Sequence, residues 1–519
     1  MDQQDIPVPD FSQATSSAAP VENSAGEVPF PPTPPATLKP ESTSFTPPPA
    51  TTTFSQPPKR KPVFLIITAI LAFLLVGVYL IITLLPSFGL SSQISSLKER
   101  IFSNKKTVVL NYWGLFEPPA VFQEVIADYE KSHPGIKIEY VQEDLKEYRE
   151  RLQSALERQE GPDIFRIHQT WVPMLGSFLS PIPQNVYNNS AFEQTFYASA
   201  KQTLKYNGQY VAIPLMIDGL ALFYNEDIFR ANGQSPPTTW DELKHAACQL
   251  TVRDEQGKIR VAGVALGTTN NVDHWSDILG LMMLQNSADL ANPAACIKDP
   301  NKGEATCLGK DALTFYTLFV TDRVCADENT NVGPVWSSLL PTSTYAFATG
   351  KVAMYFGPSW RAFDIKNIND KLNFRIVNVP QLPGGEVNWS SYWAEAVSKN
   401  SKHQTEAWEF LQYLSSSKVL QKLYQTESNL RLFGEPYPRV DMAEQAKSQP
   451  FVWPFVQQAV SAKSWYLSSN TFDNGLNDQI IKYYEDAVNA VNTGNDPLRA
   501  LTTTTQGVAQ VLNKYGLTR

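Results

Sequence analysis

Two apolar runs separated by a very short gap constrain the topology of this chain most strongly. Residues 210–215 and 220–224 have the aliphatic and aromatic composition of short buried strands, and only Met216, Ile217, Asp218 and Gly219 lie between them. A helical crossover joining parallel strands of one sheet needs a dozen or more residues. The chain therefore passes here from one sheet to another, or turns a corner. Asp218 is a lone acid between apolar flanks, where a charge is costly unless it is solvated or paired; a turn-capping role is the alternative. Further on, Thr239 and Glu242 have the spacing of a capping box at a helix start.

Upstream, strands and helices alternate. Residues 108–113 read as a strand, and Val121, Phe122, Val125, Ile126 and Tyr129 repeat at helical spacing until His133-Pro134-Gly135. A strand at 136–141, a helix at 145–157 and a strand at 164–167 follow. This alternation predicts an α/β fold with a mostly parallel sheet, whose ligands bind beyond the carboxyl ends of the strands. The loops 113–118 and 168–171 occupy those positions. A second α/β lobe is expected from the strand 261–266 and helices near 274–284 and 308–322. A third set of elements begins at Ala346, with strands at 352–356, 374–379 and 392–397 and helices at 405–415, 476–491 and 497–512.

The N-terminal part has a different composition. Residues 1–58 are rich in Pro, Ser and Thr and are expected to form a disordered tail. Residues 63–85 are apolar apart from Thr68, Gly77, Tyr79 and Thr83, long enough for one transmembrane helix. Lys59, Arg60 and Lys61 place the tail in the cytoplasm by the positive-inside bias. Residues 87–106 form a juxtamembrane linker, and 107–519 are then extracytoplasmic on a single-pass membrane protein. A net charge of −8 argues against nucleic acid as a partner. All four cysteines lie beyond the span, where disulfides persist, and three pairings are open. Cys296 and Cys307 flank a polar segment that suits a local bridge, leaving Cys248 with Cys325; four unpaired core thiols are the alternative.

Four separated stretches, GPDIF, YNGQYVAIPLMIDGLALFYNEDIFRANGQSPPTTWDEL, FATGKVAMYFGPSW and SKNSKHQTEAWEFLQYLSS, resemble in order and spacing the bacterial extracellular solute-binding proteins of the sugar-binding type, the maltose-binding-protein-like group. The resemblance runs from Val108 to the C-terminus. It implies a two-lobed, periplasmic-binding-protein-like fold with a hinge and ligand cleft, and capture of a carbohydrate for delivery to ABC permease subunits. An internal span is a departure from a family usually released or lipid-held, which leaves a membrane-tethered sensor as an alternative.

Sugar sites combine planar apolar faces with groups that pair with hydroxyls. Trp113, Trp171 and Trp360 follow strands whose ends face the ligand, and are expected in the cleft; Trp275 and Trp393 are further candidates, while Trp389 and Trp465 also fall at loops. Trp240 and Trp408, on helix faces, are assigned to the core. Asp218 resembles by position an acid that contacts ligand hydroxyls in the family. Glu117, Asn270, Asn271, Arg361 and Glu395 are polar candidates by similar placement. A glycosidase would need two carboxylates across one bond, and Glu117, Asp218 and Glu395 could be so arranged. The chain has no GxSxG, HExxH or P-loop motif and no metal-ligand spacing among its five His, so catalysis is not expected and no cofactor or metal-ligating residue is assigned.

Overall fold

The structure, a computed structural model, describes residues 107–298, 305–326 and 333–517. The tail 1–58, the apolar run 63–85 and the linker 87–106 lie outside the described residues. Among the described residues no helix is long and apolar enough to cross a membrane.

In chain order, the strands of the two main sheets are β1 (Val108–Gly114), β2 (Ile136–Gln142), β3 (Ile164–His168), β4 (Ala212–Pro214), β5 (Ala221–Asn225), β6 (Val252–Arg253), β7 (Ile259–Val264), β8 (Val352–Gly357), β9 (Phe374–Val377) and β10 (Trp393–Val397). One sheet has the order β2-β1-β3-β10-β4 and the other β9-β5-β8-β7-β6. Strands β1, β2 and β3 pair in parallel, as the alternation predicts. Strand β10 pairs antiparallel with β3 and β4, because it re-enters this sheet from the other lobe. The elements after Ala346 form no third unit: β8 and β9 complete the second sheet, and β10 inserts into the first.

Burial follows from composition. Strands β3, β5 and β8 are buried at every residue; β5 and β8 are largely apolar runs covered on both faces, whereas β3 buries Arg166 and His168 on side-chain partners. The helix Trp240–Leu250 begins at the predicted capping box, in which the Glu242 amide donates to Thr239 Oγ1 and the Thr239 amide to Glu242 Oε2, both at 3.2 Å. Its Trp240, Leu243, Ala247 and Leu250 face the core. Trp408 is also fully buried, so both helix-face tryptophans lie where their spacing put them.

The short gap is a crossing between lobes, since β4 belongs to one sheet and β5 to the other. It pairs with the return crossing: Gly219 bridges Ser390, and the Ser391 amide donates to Asp218 O at 3.0 Å. A Cβ on Gly219 would stand 1.9 Å from Trp389 O, so only glycine permits this approach. A third segment, Ala462–Lys463, pairs in parallel with Asn388–Trp389. The cysteines pair as Cys248–Cys325 and Cys296–Cys307. The first bridge ties the capped helix of the second lobe to the segment after helix Leu308–Leu318. Both its ends lie in that lobe, and the crossing segments stay free of covalent ties.

Candidate functional site

A cavity of about 490 Å³ opens between the lobes, over the crossing segments. The first lobe contributes Phe116, His168 and Trp393. The second contributes His274, Asp277, Trp360, Arg361 and Phe363. The crossings supply Met216, Asp218, Gly219, Leu220, Trp389, Ser391 and Tyr392, and two later loops bring Arg431, Glu435, Ser469, Asn470 and Phe472.

Aromatic rings face the cavity from both sides. Phe116, 39% exposed at the loop after β1, meets Trp393 edge-on at 5.3 Å. Opposite, the turn after β8 presents Trp360, 38% exposed, with the Arg361 guanidinium 4.3 Å from its ring centroid. Arg361 is held by Asp364 at 2.9 Å and donates from Nε to His274 Nε2 at 3.0 Å. That contact makes Nε2 the acceptor, so His274 carries its proton on Nδ1 and donates to Ser469 Oγ at 2.7 Å. His274 itself has φ +60° at the start of helix Trp275–Gln285. Asp277, one turn on, accepts from Trp389 Nε1 at 2.7 Å and from the Ser469 amide at 3.1 Å. On the first-lobe side, burial lowers the His168 pKa to about 3, so a neutral ring lies between Thr170 Oγ1 (2.7 Å) and Ser391 Oγ (3.1 Å).

Asp218 lies at the cleft floor, with its carboxylate turned toward protein donors. It accepts from the Gly219 amide at 2.8 Å, the Ser359 amide at 3.1 Å and the Ser359 hydroxyl at 2.8 Å. It thereby clamps the first crossing to the turn that carries Trp360. Burial pushes the carboxyl up to about 7 despite these donors. The unfolded chain releases this proton near its ordinary 3.8 and the folded one near 7. The contribution to stability is full below about pH 4 and is lost as pH rises through 7. Asp218→Asn is expected to flatten the fall in unfolding free energy between about pH 4 and pH 8. Urea titrations of both proteins at the two pH values check this, and equal slopes would contradict it.

Four sequence candidates, Asp218, Trp360, Arg361 and Trp393, come together in the cavity. The expectation for Trp171 is corrected: it is fully buried, packed edge-on against Trp393 at 5.1 Å, because the chain turns into a short helix directly after β3. Glu117 and Glu395 are corrected as well. Both are buried on the Arg166 guanidinium, at 2.5 and 2.7 Å, within the first lobe. Trp113 is half-buried on β1 and packs on the core. Trp275, half-buried at its helix start, does the same. Asn271 is buried and organises its own loop, donating to Ser337 O and Leu340 O, both at 2.9 Å, while accepting from Trp336 Nε1. Asn270 is exposed on that loop, with its amide toward Ser338 O. Sequence reasoning did not single out Phe116, Phe363, Phe472, Asp277, Arg431 or Glu435 as ligand contacts; Phe116 lies within the 113–118 loop that the strand-end rule indicates.

Carboxylate oxygens of Glu117, Glu427 and Glu435 lie within 4.8 Å of one another. Arg431 pairs with Glu427 at 3.1 Å and Glu435 at 2.6 Å, and Arg166 with Glu117. Each of the three carboxylates thus has a guanidinium partner, Arg166 being shared with Glu395. Burial raises the Glu427 pKa, with the Glu435 charge acting in the same direction. Arg431 also stands 5.1 Å from the Phe363 ring centroid, which links the cluster to the second lobe.

Residues 124–430 match the family described as bacterial extracellular solute-binding protein. The "Multiple sugar-binding protein" of Streptococcus mutans is 23% identical over 338 residues, covering 63% of this chain and 76% of that relative. Among solved structures, a cyclo/maltodextrin-binding protein complexed with maltotetraose superposes with a TM-score of 0.61 at 17% identity, over 79% of this chain and 98% of that one. The GacH receptor of Streptomyces glaucescens, solved unliganded and with acarbose, gives 0.56 at 22% identity, over 79% and 99%. These likenesses carry the fold. With two α/β sheets, crossing segments that pair with one another, a cavity between the lobes and a family match over more than half its length, the chain belongs to the bacterial extracellular solute-binding proteins.

Proposed function

We propose that this protein captures a neutral mono- or oligosaccharide in its interlobe cleft and hands it to the permease of an ABC transporter while held at the membrane by residues 63–85. The observation that carries this reading is the aromatic lining from both lobes, Phe116 and Trp393 on one and Trp360 on the other, beside hydrogen-bonding groups at His168, Ser391, Asn470 and Glu435. Pyranose rings offer C–H faces to such planes and hydroxyls to such groups. The sugars named for the S. mutans relative and the two solved structures support the same class. A binding role rather than catalysis rests on the family and on the pairing of both Glu117 and Glu395 with Arg166.

A thermal-shift screen of the full chain against mono- and oligosaccharides, with peptides and polyamines as controls, tests the ligand class. Stabilisation by at least one carbohydrate is expected; stabilisation by peptides alone would overturn it. The anchor rests on the apolar length of 63–85 and its basic flank. The full chain is expected to stay with membranes through alkaline carbonate extraction, and a chain lacking residues 1–86 to be released. Release of the full chain would remove the anchor.

A further inference from the structure

A second cavity of about 540 Å³, called the rear cavity, shares no lining residue with the cleft. The two cavities alternate along the chain: His168 lines the cleft and Gln169 the rear cavity, and Ser464 and Trp465 line the rear where Ser469 and Asn470 line the cleft. Tyr392, a cleft residue, is joined through its hydroxyl to Thr203 Oγ1 of the rear cavity at 3.0 Å.

The rear lining has its own recognition chemistry. Trp465, Tyr466, Tyr206 and Tyr515 supply half-buried rings, whose faces take apolar C–H surfaces. Gln169, Gln202 and Asn207 supply amides. Gln169 is 1% exposed, donates from Nε2 to Ser464 Oγ at 2.5 Å, and has its other amide atom, Oε1, without a hydrogen-bond partner among the described residues. A buried carbonyl of this kind calls for a donor. Among the described lining residues the charged one is Lys205, and it is paired with Glu193 at 3.2 Å. Rings, amides, an unmatched acceptor and no unpaired charge among the described lining residues select a neutral, hydroxyl-bearing molecule with a flat apolar face.

From this lining we infer that the rear cavity is a second binding site, for a neutral sugar of mono- or disaccharide size, separate from the interlobe cleft. The inference rests on the rear cavity's residues and stands independently of what the cleft binds.

The full chain labelled with 5-fluorotryptophan provides the test, the Trp465 resonance being assigned by its loss in Trp465→Phe. Titrants are maltose, mannobiose and sucrose, with putrescine and glucose 6-phosphate as charged controls. The Trp465 resonance is expected to shift saturably with at least one neutral sugar, both in the native chain and in Phe116→Ala/Trp360→Ala, whose cleft is disabled. Tyr206→Ala/Tyr515→Ala is expected to abolish the Trp465 shift while the Trp389 and Trp393 resonances still report cleft occupancy. Failure of the cleft reading would show instead as unmoved Trp389 and Trp393 resonances in the native chain. A Trp465 resonance that no neutral sugar moves, or that moves only when the cleft is intact, overturns the second site.

Discussion

Replacing Arg166 with Met is expected to lower the unfolding free energy by about 3–5 kcal/mol, the cost of leaving buried charges without their partner. Arg166 is 1% exposed, as is the Glu395 side chain, and Glu117 is 2% exposed. One guanidinium serves both acids, so its loss strands two carboxylates rather than one. Tyr148 donates to Arg166 O at 3.0 Å, which fixes the strand but does nothing for the acids. In Arg166→Met/Glu117→Gln/Glu395→Gln the stranded charges are gone, and much of the loss is expected to return. Urea unfolding of the three proteins checks this. A single variant within about 1 kcal/mol of the native chain, the scale of an exposed pair, would show that the cluster is hydrated rather than buried.

The second large effect is on binding. Phe116→Ala/Trp360→Ala removes one ring from each lobe, and sugar affinity is expected to fall by about 4 kcal/mol, roughly a thousandfold in Kd, if each ring acts as an anchor of about 2 kcal/mol. Both rings are more than a third exposed in the open cavity, so the unfolding midpoint should barely move. Calorimetry with whichever sugar scores in the thermal screen, paired with a melting curve, separates the two readouts. Unchanged affinity would remove the ring faces from the site.

How far the sequence carried the fold can be judged from particular elements. The four-residue gap at 216–219 excluded a helical crossover within one parallel sheet by length alone, and left a passage between sheets or a corner, of which the folded chain takes the first. The Thr239–Glu242 box marked its helix because both partners are local in sequence. Strand β10 was visible as a strand, but its place in the first sheet depended on a pairing with β3 more than two hundred residues away, which periodicity does not encode. The candidate site divides in the same way. Trp360 and Arg361 follow a strand end and a Gly-Pro turn, so the strand-end rule located them. Trp171 satisfies the same rule, yet is buried because Trp393 from a distant strand covers it. Glu117 and Glu395 read as free acids because Arg166, their common partner, sits on β3, 49 and 229 residues away from them along the chain. Asp218 was visible as an acid in apolar surroundings, whereas its clamp on Ser359, 141 residues away, could be seen only in the folded chain.

The most direct measurement on the cleft itself is a crystal structure of the protein with a neutral oligosaccharide that stabilises it. A sugar ring is expected between the Phe116–Trp393 pair and Trp360, with the lobes closed over it and Asp218 still bonded to Ser359. A bound sugar that touches neither lobe's rings, or an empty cleft at saturating ligand, would contradict it.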